Sequence, residues 1–180
     1  MSGATDSSSG KRLLLLRHAK AVPADGTFAD IVRPLAPRGE RDSRYMGERM
    51  LRRHERVDLI LASPSLRTRQ TAEIVAAAFG YPRDKIAIDE RLYLADPDEI
   101  AAVIAAQDSS IPCVLVVGHN PGLSELANRL STELAVDDLP TAALVALDAN
   151  IGHWADLAES ANRLAYYDFP KNPRAPPTIR

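Results

Sequence analysis

Residues 112–123 read PCVLVVGHNPGL. An apolar run of strand length breaks at Gly118-His119-Asn120 and restarts as a helical pattern at Pro121. The same grammar occurs twice upstream, where residues 13–16 run into Arg17-His18 and residues 59–62 run into Ser63-Pro64-Ser65-Leu66-Arg67. Short apolar runs alternating with longer helical patterns are the mark of βαβ units and a largely parallel sheet. Strand cores are expected at 13–16, 59–62, 114–117 and 144–147, with an edge strand near 163–169. Helices are expected at 37–54, 64–79, 97–106 and 121–131, each opening with proline in its first turn. Ser63, Asp96 and Asn120 precede three of those prolines as expected N-caps. The fold class is therefore α/β. Trp154 and the Tyr166/Tyr167 pair read as packing anchors, and Cys113 as a small buried hydrophobe.

Composition bounds the rest. The chain has 180 residues, 46% of them hydrophobic and 26% charged, with a formal net charge of -2. That length buries roughly 70% of its unfolded surface in one core. Near-neutrality gives no field for bulk binding to nucleic acid or a membrane surface. A lone cysteine offers neither an internal disulfide nor a cysteine metal cluster, which fits a reducing compartment. No apolar stretch is long enough to span a bilayer, and the N-terminus lacks the layout of a secretory signal, so a cytoplasmic location is expected. Residues 1–10, MSGATDSSSG, read as a flexible tail, residues 11–170 as one domain, and residues 171–180, KNPRAPPTIR, as a proline-rich tail.

The polar residues of the three motifs all lie just past strand carboxyl ends, which in an open parallel sheet gather on one side. Arg17, His18, Arg67 and His119 are thus expected to share a pocket, with two helix N-termini aimed at it. Such a pocket suits an anion, and guanidinium forks suit a phosphoryl group. There is no Gly-rich phosphate loop, and no aspartate pattern for Mg²⁺ or ligand set for another metal. A side-chain nucleophile is then the natural mechanism, and neutral histidine can fill that role at pH 7. Neither an Arg-His pair nor a single histidine would carry this reading, since each is commonplace in structural roles. The ordered conjunction of RH, SPxxRxxQTA and GHNP does. His54 is expected on a solvated helix face and His153 in a turn, neither with a role. The arginines between Arg38 and Arg56 alternate with carboxylates at pairing distances, so a solvated, salt-bridged face is expected there in place of a nucleic-acid surface.

At these residues the chain resembles the histidine phosphatase superfamily, whose fold is the phosphoglycerate mutase-like three-layer α/β/α sandwich with a mostly parallel sheet. LLLLRHAKA matches its Arg-His signature, with Ala19 where the family more often has glycine. The resemblance implies His18 as nucleophile, Arg17, Arg67, His119 and Asn120 as phosphate-binding residues, and His119 also as a catalytic partner. It implies no cofactor and no metal. Within the family, RHAKA, Arg33-Pro34-Leu35 with Pro37-Arg38-Gly39, SPSLRTRQTA and VVGHNPGL are most similar to the short SixA-type phosphohistidine phosphatases. Residues 79–112 have room for a short strand, a loop and one helix, which leaves little chain for a lid and suits a phosphoryl group on another protein's surface. The expected partner is then a phosphorylated protein, such as a histidine-phosphotransfer domain, or a small phosphorylated metabolite. Glu90 is the position most like the family's general acid, with Asp89, Asp96 and Glu99 as substitutes, and Arg33 or Arg38 could reach the rim. A small-molecule phosphomonoesterase and a non-catalytic phosphate-binding module are the alternatives, the latter disfavoured by two poised imidazoles.

Overall fold

β1 (Lys11–Arg17) shows why the sequence folds as a sandwich. Leu13 and Leu15 enter one apolar cluster, Leu14 and Leu16 the other, and all four are fully buried. A strand covered on both faces carries an uninterrupted apolar run. In this computed structural model, which describes residues 10–173, β1 lies inside a six-stranded sheet. The other strands are β2 (Leu59–Ala62), β3 (Ala87–Ile88), β4 (Cys113–Gly118), β5 (Leu144–Ala149) and β6 (Arg163–Asp168). Their order is β3-β2-β4-β1-β5-β6. The β3-β2, β2-β4 and β4-β1 pairs are parallel, and only β5 runs against the rest.

Helices α1 (Pro37–Arg52) and α2 (Leu66–Ala78) cover one face through Met46, Met50, Ala72, Val75 and Ala76. Helices α3 (Pro97–Ala105) and α4 (Gly122–Leu130) cover the other, joined by the turn at Trp154–Glu159. Trp154 is an anchor as expected, buried and donating from Nε1 to Ile111 O at 3.0 Å. Two glycines allow backbone contact near the strand ends: a Cβ on Gly39 would stand 2.1 Å from Lys20 O, and one on Gly122 2.1 Å from Ala95 O.

Several expectations need correction. Of the three N-caps only Asp96 caps, in a reciprocal capping box with Glu99. α2 starts at Leu66 behind Ser65, and α4 at Gly122, because the side chains of Ser63 and Asn120 are engaged elsewhere. α1 stops at Arg52, and His54, at φ 56°, is exposed beyond the helix end and not on its face. Arg49 is no part of a solvated stripe. It is 1% exposed and pairs through Nη2 with Asp168 Oδ1 at 2.7 Å, fastening α1 to β6. The expected tails fall almost wholly on residues 1–9 and 174–180, outside the described residues. Among the described residues no helix is long and apolar enough to cross a membrane.

Candidate active site

The carboxyl ends of β1, β2 and β4 deliver Arg17-His18, Ser63 and His119 to one edge of the sheet. His18 is fixed by its main chain, its N–H donating to Gly118 O at 3.0 Å and its carbonyl accepting from Ala142 N at 3.1 Å. Thr71 of α2 locks the next residue: its Oγ1 accepts from Ala19 N at 3.0 Å and donates to Arg67 O at 2.7 Å. Ala19 is fully buried and is not among the residues with positive φ, so the added methyl relative to glycine is accommodated.

The two imidazoles meet edge to face with ring centroids 5.3 Å apart. His18 Nδ1 lies 2.8 Å from Ala19 O, which can only accept, so Nδ1 carries the proton and the neutral ring keeps its lone pair on Nε2. His119 is tied by Nε2 to Ser63 Oγ at 2.7 Å, and its Nδ1 lies 3.4 Å from Arg67 Nη2. Since guanidinium only donates, His119 carries its proton on Nε2. Burial is the main reason that His18 is lowered to about 4; Arg67, Arg17 and Arg33 push the same way, against the Ala19 hydrogen bond. His119 is lowered to about 3, again by burial first, then by His18 and Arg67. Both rings are thus neutral near pH 7.

Arg67 is 2% exposed, yet its partner is a surface carboxylate. Its Nη1 donates to Asp30 O at 2.6 Å and its Nη2 to Asp30 Oδ2 at 2.9 Å. Asp30 sits in the segment between β1 and α1, where Oδ1 accepts from Arg33 Nη2 at 2.9 Å and Oδ2 from Tyr93 OH at 2.8 Å. Burial would raise the Asp30 carboxyl, but the bonds from Tyr93, Arg33 and Arg67 outweigh it and hold the group ionised well below the usual carboxylate range. Tyr93 also packs edge-on against His119, centroids 5.8 Å apart. On the other flank Arg17 Nη1 donates to Leu139 O and approaches Asp138 Oδ2 at 3.3 Å. Among the described residues, the Nε atoms of Arg17, Arg33 and Arg67 are buried and have no hydrogen-bond partner.

The structure therefore brings together Arg17, His18, Arg67 and His119, with Arg33 joined through Asp30. Arg38 does not join; it is exposed and paired with Asp42 in α1. Asn120 is adjacent, but its amide donates to Asp138 Oδ1 and Leu139 O while its Oδ1 accepts from Ser124. Glu90 is exposed on the short turn Glu90–Leu92, and Tyr93 is the side chain of that segment that reaches the cluster. Asp89 is committed to Arg91, and Asp96 and Glu99 to each other's backbone. Sequence reasoning missed Asp30, Tyr93, Asp138 and the role of Ser63. The only available signal was the spacing of Asp30 and Arg33, which an i,i+3 ion pair uses. Among the described residues no group of three or more His, Cys, Asp or Glu is placed to hold a metal ion.

A parallel-centred α/β/α sandwich with two neutral imidazoles at its strand ends, flanked by Arg17 and the buried Arg67, defines a phosphatase with a histidine nucleophile. The chain belongs to the histidine phosphatase superfamily: the family profile of its branch 1 matches residues 13–93, and relatives at least 30% identical extend the likeness over most of the chain. An uncharacterized Mycobacterium tuberculosis protein is 34% identical over 165 residues, covering 87% of this chain and 100% of that one. The phosphohistidine phosphatase SixA of Escherichia coli is 28% identical over 130 residues, 72% of this chain and 77% of SixA. A solved Nakamurella multipartitia structure, provisionally described as a phosphohistidine phosphatase SixA, superposes with a TM-score of 0.75 at 30% identity. It covers 90% of this chain and 97% of its own.

Proposed function

We propose that this chain hydrolyses phosphohistidine on a protein, through a phosphohistidine intermediate on His18. The observation that carries the proposal is the His18 tautomer: Nδ1–H is committed to Ala19 O, and burial among arginines keeps Nε2 unprotonated. In the first step Nε2 attacks phosphorus, the substrate's P–N bond breaks, and its electron pair stays on the leaving nitrogen. In the second, water attacks phosphorus, the bond to His18 breaks and inorganic phosphate leaves. Arg17 and Arg67 hold the phosphoryl oxygens through their guanidinium donors. His119 lies beside His18 and Arg67, where a proton gained on Nδ1 would be donated to the anion. An imidazole departs more readily than an alkoxide and asks less of a proton donor. That fits a cluster in which Asp30, the carboxylate bonded to Arg67, is ionised and in which Glu90, the expected acid, is exposed.

Acid-quenched protein, exposed briefly to a labelled phosphodonor, should carry an acid-labile, alkali-stable label that vanishes in His18→Ala together with turnover. Label surviving in that variant removes His18 as nucleophile. The substrate is tested by comparing a phosphorylated histidine-carrier domain, an aryl phosphate and a panel of alkyl phosphates, all with chelator present. Higher kcat/KM on the carrier supports the reading. A preferred alkyl phosphate with the carrier untouched replaces it with small-molecule phosphomonoester hydrolysis.

A further inference from the structure

Asp30 is the one carboxylate bonded to the buried arginine of the site, and it lies on the solvent side. Its side chain is 43% exposed where that of Arg67 is 2% exposed. Whatever a phosphoryl group is attached to must project outward, past this rim. An ionised carboxylate has about four acceptor sites. Among the described residues Oδ2 takes Arg67 and Tyr93, and Oδ1 takes only Arg33, which leaves Oδ1 one further acceptor position. Exposed apolar side chains stand close to Asp30 and Tyr93 in the chain: Phe28, Ile31, Val32 and Leu94 are 45%, 39%, 51% and 55% exposed. Leu94 holds its side chain out from a left-handed backbone at φ 51°, a conformation that costs energy in a non-glycine residue. A half-exposed carboxylate can hydrogen-bond a donor and stabilise positive charge, and it repels a second anion.

We infer that Asp30 is a specificity-determining residue that selects substrates whose leaving group carries a protonated nitrogen. The inference rests on the phosphohistidine reading and supplies that reaction's missing partner. In a phosphoimidazolium the ring nitrogen away from phosphorus bears a proton, and the open position on Oδ1 accepts it. With the ring held protonated, P–N cleavage returns the electron pair to a ring that leaves as neutral imidazole, so no proton donor is consumed. Asp30 keeps its bonds to Arg33 and Tyr93, while the phosphoryl group takes guanidinium donors of Arg67 and Arg17.

The test measures ratios of kcat/KM within two matched pairs: phosphoimidazole against phenyl phosphate, and phosphoethanolamine against propyl phosphate. Asp30→Asn, which keeps shape and removes charge, should lower both ratios by about tenfold, the scale of one charge-assisted hydrogen bond. Asp30→Glu should restore at least half of the logarithmic loss. Ratios read selectivity whatever fraction of the variant is folded. Unchanged ratios, with both members falling together, would make Asp30 only a positioning residue for Arg67 and overturn the inference. Both members rising together would make it a plug on the phosphate seat and overturn it equally. The alkyl pair separates this inference from the larger one: if the wild type ignores phosphoimidazole, the phosphohistidine reading fails, and the phosphoethanolamine ratio still decides the role of Asp30.

Discussion

Two buried arginines, on adjacent helices of the same layer, are held in opposite ways. Arg49 of α1 is 1% exposed and pairs with Asp168, itself 0% exposed and also bound by Arg53 at 2.9 Å. Arg67 of α2 is 2% exposed and pairs with Asp30, a carboxylate 43% open to solvent on a connecting segment. In the first pair both charges are sealed and neither can exchange partners, so the pair acts as a fastener between helix and edge strand. In the second, only the cation is sealed; its partner can rearrange without exposing core. A buried charge that is to bind something else needs that asymmetry, since leaving it wholly unpaired would cost several kcal/mol.

The sharpest break of the comparison is to remove each arginine in turn. Arg49→Ala leaves the buried Asp168 with Arg53 as its remaining cation, beside neutral bonds from Phe169 N and Asn172, and should cost about 3 kcal/mol of unfolding free energy in urea titrations. The folded fraction should keep its kcat/KM within about twofold, as Arg49 touches nothing at the site. Arg67→Ala should do the reverse, lowering kcat/KM on the order of 10²-fold with a much smaller change in the urea midpoint. Equal stability losses in the two variants would erase the distinction.

The next effect concerns pH. His18, lowered to about 4, and His119, lowered to about 3, bind fewer protons in the folded protein than in the unfolded chain below pH 6.5. Stability therefore falls as pH drops from about 6.5 toward 4, as protons are taken up preferentially by the unfolded chain. Asp30, lowered instead by its bonds, contributes stability above its unfolded value that is lost as pH falls through it. Melting temperatures of wild type and His18→Ala between pH 7 and 4 check this: the variant's decline should be shallower, and parallel declines would refute it. The smallest effect is at Ser63, which orients His119 through one hydrogen bond at 2.7 Å. Ser63→Ala should cost about 1 kcal/mol, near fivefold in kcat/KM, seen in steady-state kinetics on an aryl phosphate.

The legibility of these features in sequence follows the range of the interactions that make them. β1, β2 and β4 announce themselves because strands buried on both faces admit only apolar residues, and His18 and His119 follow because they stand directly at the ends of those runs. Asp30 and Tyr93 come from segments with no period, and distant bonds place them: Gln70 Oε1 takes Leu35 N at 2.8 Å, and Arg33 reaches Val22 O at 2.9 Å. Ser63 and Asn120 satisfy the local rule for helix caps, but a local rule is blind to His119 and to the 138–139 loop. Arg49 is hidden by its neighbours, since a helix so rich in arginine does not reveal which one faces a carboxylate at position 168.

The central place of β1 in the sheet has a consequence for synthesis on the ribosome. The strand that leads into His18 is the first of the six to be made, yet its two neighbours are β4 and β5, and Leu16 finds Val117 only about a hundred residues later. At roughly 5–20 residues per second, four consecutive leucines wait on the order of 5–20 s for a partner strand. A nascent chain stalled anywhere before residue 113 is thus a fragment with an unpaired apolar strand, prone to clumping and unable to form the His18–His119 contact, and it should depend on holding chaperones far more than its modest size suggests.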